Sequence, residues 1–226
     1  MSVYKLDALR LGKYKMALGD EAGEIFYHLV DEYYSCQSRW QEYKELFATT
    51  RERISLLNES TSYFFSMIQS ILLDDILLSI CRMNDPSSSF GKANLSFSHF
   101  QDLMTEMGCE DLSRLVEKAK RNVNPIKYIR NTRLGHNDLN TIIKERSMYL
   151  ELPELENALS NLFQIINHVY FSYLHEDIIN EMTPSSSGSI SLMLILRDGI
   201  RYRNSILDKV ARNEPIDFDE INLPPI

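Results

Sequence analysis

The 226-residue chain contains 44% apolar and 25% charged residues, with eight Gly and seven Pro. These proportions exclude an extensively disordered or low-complexity chain and indicate a medium-sized globular domain that can bury a sizeable core. The net charge of −8 argues against a nucleic-acid-binding surface that covers the whole chain. Residues 112–146 nevertheless hold nine Lys/Arg against three Asp/Glu, a local balance of +6, and therefore predict a basic region.

The sequence gives no sign of export or of a membrane anchor. No uninterrupted apolar run reaches the length of about 18 residues that a membrane helix needs, and the N-terminal segment lacks a signal-peptide pattern. We therefore expect a soluble, cytoplasmic protein without a membrane partner. Cys36, Cys81 and Cys109 are odd in number and form no Cys-x-x-Cys pair, which favours reduced thiols over disulfides or a zinc knuckle.

Apolar residues at helical spacing predict two long helices in the first third of the chain. The first predicted helix covers residues 20–48. The second covers residues 49–83, and its stripe is apolar enough for burial on two sides. A Pro- and Ser-containing segment, residues 84–97, predicts a surface loop after the second helix.

Shorter helices are predicted in the middle of the chain. Ser98 and Asp111 are the expected caps of two of them. Pro125 either kinks the second of these helices at Asn124 or starts a separate helical segment that ends at Gly135. The sequence leaves both alternatives open.

A further helix is predicted from Pro153 to about residue 173, and a last helix over residues 190–211. No segment shows the alternation of a strand, so the predicted fold class is all-α. The expected architecture is an antiparallel helical bundle with long N-terminal helices and an added C-terminal helix. We expect residues 1–182 to form the bundle, and residues 183–226 to supply a linker, the last helix and a polar tail packed on the same domain.

Several other kinds of site are not supported. No two of the five histidines are spaced to present two metal ligands from one helix, and nucleotide-binding glycine loops are absent, so we expect neither a metal nor a cofactor. Asp74 and Asp75 would point about 100° apart on a helix, so they cannot hold one substrate or metal as a unit. One of them is expected to be solvated and the other to meet an arginine or a helix end. Tyr33, Tyr34 and Trp40 lie on a helical stripe and are expected in the core rather than stacked on bases.

The most site-like stretch covers residues 129–138, inside the basic region. Its polar side chains are Arg130, Asn131, Arg133, His136, Asn137 and Asp138. Arginine offers a forked, permanently charged donor for phosphate oxygens, and histidine can pass a proton near neutral pH. Cleavage of RNA requires few other functional groups from the protein, because the 2′-hydroxyl of the RNA is itself the nucleophile.

The same residues also have a purely structural interpretation. His136 can cap helix carbonyls after a glycine stop, and Arg130 can pair with Asp85 or Asp138. Chance alone supplies about one Arg-to-His match at a gap of four to six residues in a chain of this composition. The residues that flank the Arg–His pair in the sequence must therefore distinguish the two interpretations.

Those neighbours resemble the HEPN superfamily, particularly the branch named for the abortive-infection protein AbiU. The family motif is an Arg, usually followed by Asn, Asp or His, and then a His after four to six intervening residues. Arg130, Asn131 and His136 fit this motif with a gap of five. The wider RNTRLGHND is similar to that branch's Arg-Asn-Lys-x-x-Ala-His-x-Asp, with Thr132 and Gly135 in place of the usual Lys and Ala.

A second block carries the same resemblance. LLDDILLSICRMNDP is similar to an earlier helix of the family that ends in an Arg-Leu-x-Asp-Pro-like sequence. Arg82, Asp85 and Pro86 occupy the corresponding places. The resemblance spans about residues 50–176.

The resemblance implies a helical bundle that dimerises with its two motifs facing each other. It also implies a metal-independent endoribonuclease of a toxin or phage-defence type that leaves a 2′,3′-cyclic phosphate. Arg130 would hold the scissile phosphate and His136 would be the general acid/base. The assisting or RNA-binding residues would be Asn131, Arg133, Asn137 and Asp138. The alternative is a catalytically silent dimeric module that binds RNA, a nucleotide or a protein partner such as an antitoxin.

The spacing of the motif bears on how the site is built. On an unbroken helix Arg130 and His136 would lie about 9 Å apart along the axis and about 120° apart in direction. One phosphate does not easily contact both side chains in that arrangement. Either the helix ends at Gly135 and His136 turns back, or the arginine of one subunit works with the histidine of the other.

Overall fold

The computed structural model describes residues 3–105, 110–131, 151–180 and 188–216, with side chains from residue 7 onward. Its helices are α1 (Val3–Leu18), α2 (Asp20–Phe47), α3 (Arg51–Met83), α4 (Phe97–Met104), α5 (Glu110–Asn122), α6 (Asn124–Ile129), α7 (Leu152–Val169) and α8 (Ser189–Ala211). The π-helical segment Tyr170–Leu174 continues α7. Between α3 and α4, β1 (Ser88–Ser89) and β2 (Lys92–Ala93) form a small antiparallel hairpin. The predicted all-α fold class is confirmed.

The chain divides into two compact units. The first contains Met1–Trp40 and Ile71–Met182, and the second contains Gln41–Ser70 and Thr183–Ile226. Helices α2 and α3 contribute residues to both units, whereas α8 belongs to the second. The predicted division into a bundle and a C-terminal segment stays a prediction.

Apolar stripes on several helices build the core of the first unit, where α5 packs along α7. Its deeply buried side chains include Phe26, Leu29, Ile76, Ile80, Phe100, Leu112, Leu162 and Ile165. The rings of Phe26 and Phe100 lie 5.2 Å apart and connect α2 to α4. Tyr33 and Trp40 are also buried, as expected for core aromatics, and Tyr34 is half-buried.

Helix α1 has no counterpart among the predicted helices. Its apolar residues do not form a single stripe, since Tyr14 and Leu18 are buried while Met16 is exposed. The helix ends at Gly19, whose positive φ of 88° suits a residue without a side chain. Gly23 then allows α2 to approach α1 closely, because a Cβ atom there would lie 2.5 Å from the Lys15 Cα atom.

The structure tests two predicted helix starts, those of α4 and α6. Helix α4 is capped by Ser96, whose side chain accepts a hydrogen bond from the His99 N–H, and not by Ser98. The Ser98 hydroxyl instead donates to the backbone carbonyl of Asp85 at 2.8 Å. Pro125 lies in the first turn of α6, so the alternative of a separate helical segment that starts there is correct, while its predicted end at Gly135 lies outside the described residues.

Helix α3 changes character along its length. Tyr63, Phe64, Met67 and Ile71 are between 42% and 84% exposed, whereas the side chains from Ile76 onward are largely buried. The expectation of burial on two sides is therefore wrong for the middle of this helix. We call these four exposed residues the apolar stripe of α3.

Among the described helices, α3 is long and apolar enough to cross a membrane by length and composition alone. An 18-residue window in it has a mean hydropathy of 1.7, and 33% of that window is buried. The core helix of a soluble protein passes the same test.

Replacing Gly23 with alanine is expected to destabilise the first unit. The added methyl group would overlap the backbone of α1 at Lys15, and separating the two helices should cost about 1–3 kcal/mol. Gly12→Ala is the matched control, because nothing lies within 4 Å of a Cβ atom at that position of α1. Urea denaturation should give a lower midpoint for Gly23→Ala and an unchanged or higher one for Gly12→Ala. Equal midpoints for the two variants would contradict the close helix contact.

Candidate functional site

The side chain of Arg130 pairs with a carboxylate from another part of the sequence. Arg130 follows α6 directly, and its backbone N–H still donates to the Ile126 and Lys127 carbonyls. Its Nη2 atom lies 3.6 Å from Oδ1 of Asp85, and each of the two side chains is about one quarter exposed. This ion pair brings together the two sequence blocks that carry the HEPN resemblance, although the two residues are 45 positions apart.

Hydrogen bonds to its backbone and to that of its neighbour fix the position of Asp85. The Asp85 N–H donates to the Arg82 carbonyl at 3.1 Å. The Ser98 hydroxyl donates to the Asp85 carbonyl, and the Lys127 ammonium group donates to the Asn84 carbonyl at 2.7 Å. The chain that follows α3 is therefore held by both α4 and α6.

Two cations share this region with one carboxylate and a thiol. Burial lowers the pKa of Lys127, while the carboxylate of Asp85 opposes that shift. Burial raises the pKa of the Cys81 thiol to about 11, although Arg130 and Lys127 act in the opposite direction. Cys81 therefore remains a neutral thiol at physiological pH. The Nε atom of Arg130 is buried and has no hydrogen-bond partner among the described residues.

A second group of charges lies one to three turns earlier on α3. Arg82 is 3.4 Å from a carboxylate oxygen of Glu32 and donates to Ser79 at 3.2 Å. Arg39 pairs with Asp75 at 2.6 Å and donates to Ser79 at 2.8 Å. The prediction that one carboxylate of the Asp74-Asp75 pair meets an arginine is confirmed for Asp75. The expectation that the other is solvated is wrong, because Oδ1 of Asp74 is buried. Arg82 is engaged with the carboxylate of Glu32 although it belongs to the second resemblance block.

Cations outnumber acids in the described part of the basic region. Residues 112–131 contain six Lys/Arg and one Asp/Glu. Two of these cations have acidic partners on α5, as Arg114 pairs with Asp111 and Lys120 with Glu117 at 2.8 Å. The excess positive charge suits a surface that attracts a phosphate backbone.

Arg130 and Asn131 are the two predicted site residues that the structure describes. They lie in a π-helical turn after α6, and Asn131 is exposed. The remaining predicted site residues lie outside the described residues, and so does Cys109; the four site residues are Arg133, His136, Asn137 and Asp138. Their part in the site stays a prediction.

The sequence analysis does not identify Lys127. It names Asp85 only as a possible partner of Arg130 and as a position in the second resemblance block. Lys127 precedes Arg130 by three residues, the spacing that places two side chains on one helix face, and this signal could have identified it. Asp85 stands in an Asn-Asp-Pro sequence, and the end of a helix is enough to account for such a sequence. Its pairing with Arg130 depends on how α3 and α6 fold together.

Two other features of the described chain bear on the binding of a small group. No set of three His, Cys, Asp or Glu side chains in the described ranges could hold a metal ion. An open pocket at the end of α7 is lined by Phe171, Ser172, His175, Glu176 and Asp177. This pocket contains neither Arg130 nor Asn131.

Comparison with known proteins identifies the class as HEPN. The family model HEPN_AbiU2, described as AbiU2, matches residues 19–187, a range that contains both resemblance blocks. The chain therefore belongs to the AbiU2 family, which is named for an abortive-infection protein, and the predicted relationship is confirmed. No curated protein and no solved structure gives a significant match.

Proposed function

We propose that the chain is a metal-independent endoribonuclease that acts in the cytoplasm as a toxin or phage-defence effector. The position of Arg130 carries this proposal: its guanidinium is only partly covered although it pairs with Asp85, a pairing that a purely structural role also predicts. That guanidinium stands at the end of a basic segment, where it suits a phosphodiester substrate. Membership of the AbiU2 family supports the proposal through its abortive-infection context.

The proposed reaction uses the 2′-hydroxyl of the RNA as nucleophile. His136 removes the proton from this hydroxyl, whose oxygen attacks the adjacent phosphorus, and a proton is delivered to the departing 5′-oxygen. Arg130 stabilises the added negative charge of the pentacoordinate phosphate, with Asn131 and Arg133 assisting. The products are a 2′,3′-cyclic phosphate and a 5′-hydroxyl, and the reaction requires no metal. Asn137 and Asp138 are proposed to contact RNA near this site.

We also propose a two-fold homodimer with the two motifs close together. The spacing of Arg130 and His136 favours a site shared between subunits, and the apolar stripe of α3 supports self-association because exposed apolar side chains of this kind mark interaction surfaces. A protein antitoxin is a further proposed partner. No membrane partner is proposed.

Loss of the His136 imidazole should abolish most of the cleavage. If this group transfers protons, His136→Ala should lower the cleavage rate by about 10²-fold or more while the protein folds normally. EDTA should leave the parent rate unchanged. The measurement is single-turnover cleavage of RNA, together with toxicity and total-RNA integrity in cells that express either protein. A metal requirement, or an unchanged rate in folded His136→Ala, would exclude the proposed mechanism.

The two arginines of the motif should differ in their response to lysine. Arg130→Lys keeps the charge but loses the forked donor, so turnover should fall much more than RNA affinity. Arg133→Lys should have a milder effect, since its expected part is attraction of a neighbouring phosphate. Cleavage and RNA affinity at two salt concentrations would be measured for the parent and both variants.

Two results of that experiment would reject the assignment of Arg130. Equal cleavage by the parent and Arg130→Lys would show that the forked geometry is not used. Salt-dependent RNA binding without cleavage by any of the three proteins would favour a catalytically silent binding module, because such binding depends chiefly on the number of charges.

Mixing two inactive variants should restore activity if subunits share the site. In a heterodimer of Arg130→Ala and His136→Ala subunits, one of the two shared sites keeps both side chains. An equal mixture that exchanges subunits should then recover about one quarter of the parent rate, since half of the dimers are mixed. Light scattering would establish the dimer. A fully active monomer at micromolar concentration, or no recovery after verified subunit exchange, would exclude the shared site.

A further inference from the structure

We infer that Asp85 is a positioning residue that orients the guanidinium of Arg130 toward RNA. The inference rests on the proposed ribonuclease function and goes beyond it by assigning a role to a residue outside the Arg–His motif. The observation behind it is the ion pair between Asp85 Oδ1 and Arg130 Nη2 at 3.6 Å.

The pair leaves part of the guanidinium available for a second anion, although the Nε atom is buried. Arginine has five N–H donors arranged around a planar group, and a carboxylate at one edge does not occupy the others. The Arg130 side chain is 27% exposed, so part of it is accessible to a ligand while the rest is held within the protein. A carboxylate that fixes one edge of the group can therefore set the direction of the donors at the opposite edge.

Asp85 is suited to this task because its own position is fixed independently of Arg130. Its carbonyl accepts a hydrogen bond from the Ser98 hydroxyl on α4 at 2.8 Å. Lys127 on α6 holds the preceding carbonyl, that of Asn84, at 2.7 Å. Arginine loses considerable side-chain entropy when it adopts one geometry. A fixed partner imposes that loss before the substrate binds. The guanidinium then stabilises the transition state at a lower entropic cost than a mobile guanidinium would.

The charge of Asp85 has a second effect that opposes the first. A carboxylate close to the scissile phosphate repels the RNA, and this repulsion weakens binding. Removing the charge should therefore leave RNA affinity unchanged or increased while turnover falls. A residue that only stabilises the fold would instead lower stability, binding and turnover together.

The test compares Asp85→Asn with Asp75→Asn. Asparagine keeps the size of the side chain but removes the charge at either position. Asp75 is the matched control, because it also forms an ion pair with an arginine, Arg39 at 2.6 Å, but it lies within α3 and outside the proposed machinery. Thermal unfolding, RNA affinity and single-turnover cleavage by the full chain would be measured for the parent and both variants.

We expect Asp85→Asn to cleave about tenfold or more slowly, with RNA affinity unchanged or higher, and Asp75→Asn to cleave at the parent rate. In an Arg130→Lys background, Asp85→Asn should change the rate by less than about twofold, because the two residues act as one unit. An unchanged rate for folded Asp85→Asn, or a parallel loss of affinity, rate and stability, would overturn the inference. Equal additional losses in the two backgrounds would also overturn it.

Failure of the underlying function gives a different result. A parent protein that cleaves no RNA would refute the ribonuclease proposal and, with it, a role for Asp85 in turnover. A parent protein that cleaves RNA, with Asp85→Asn equally active, would leave the ribonuclease proposal intact and refute only the role of Asp85.

Discussion

The contact between Arg130 and Asp85 connects the parts of this protein that bear on its function. It joins the chain after α3 to the end of α6, and it requires both to be placed accurately. The hydrogen bonds from Ser98 and Lys127 hold the backbone on the α3 side. Because both side chains of the ion pair are only partly exposed, loss of one partner would leave the other charge incompletely compensated. The geometry of the proposed site thus depends on packing among α3, α4 and α6.

This dependence explains how a helical scaffold can present the proposed phosphate-binding group without a glycine-rich loop. The buried part of α3, beginning at Ile76, anchors the helix in the core of the first unit, so its C-terminal end has a defined position. Helix α6 is short, begins with a proline in its first turn and ends where Arg130 begins. The scaffold supplies position, while the proposed chemistry needs only a guanidinium, an imidazole and the 2′-hydroxyl of the substrate.

The sequence alone was informative where a physical signal is local. Regular apolar stripes predicted α2, α3 and α7 closely, and Pro125 indicated a restart that the structure shows. Helix α1 lacks such a stripe, so the sequence does not predict it. Ser96 and Ser98 offer the same hydroxyl two residues apart, so the sequence does not distinguish the cap of α4, which is Ser96. Arg130 could be identified from its motif, but its pairing with Asp85 depends on tertiary structure, which spacing along the chain does not encode.

In the proposed mechanism, the 2′-hydroxyl of the RNA attacks the adjacent phosphorus and thereby cleaves the phosphodiester. The most direct measurement uses an RNA whose principal cleavage site has been mapped and a second RNA with a single 2′-deoxynucleotide on the 5′ side of that bond. If the 2′-hydroxyl is the nucleophile, this one replacement abolishes cleavage at the mapped bond and leaves cleavage elsewhere unchanged, and the unmodified RNA yields a 2′,3′-cyclic phosphate in the presence of EDTA. Cleavage of the modified bond at the original rate would exclude the 2′-hydroxyl as the nucleophile.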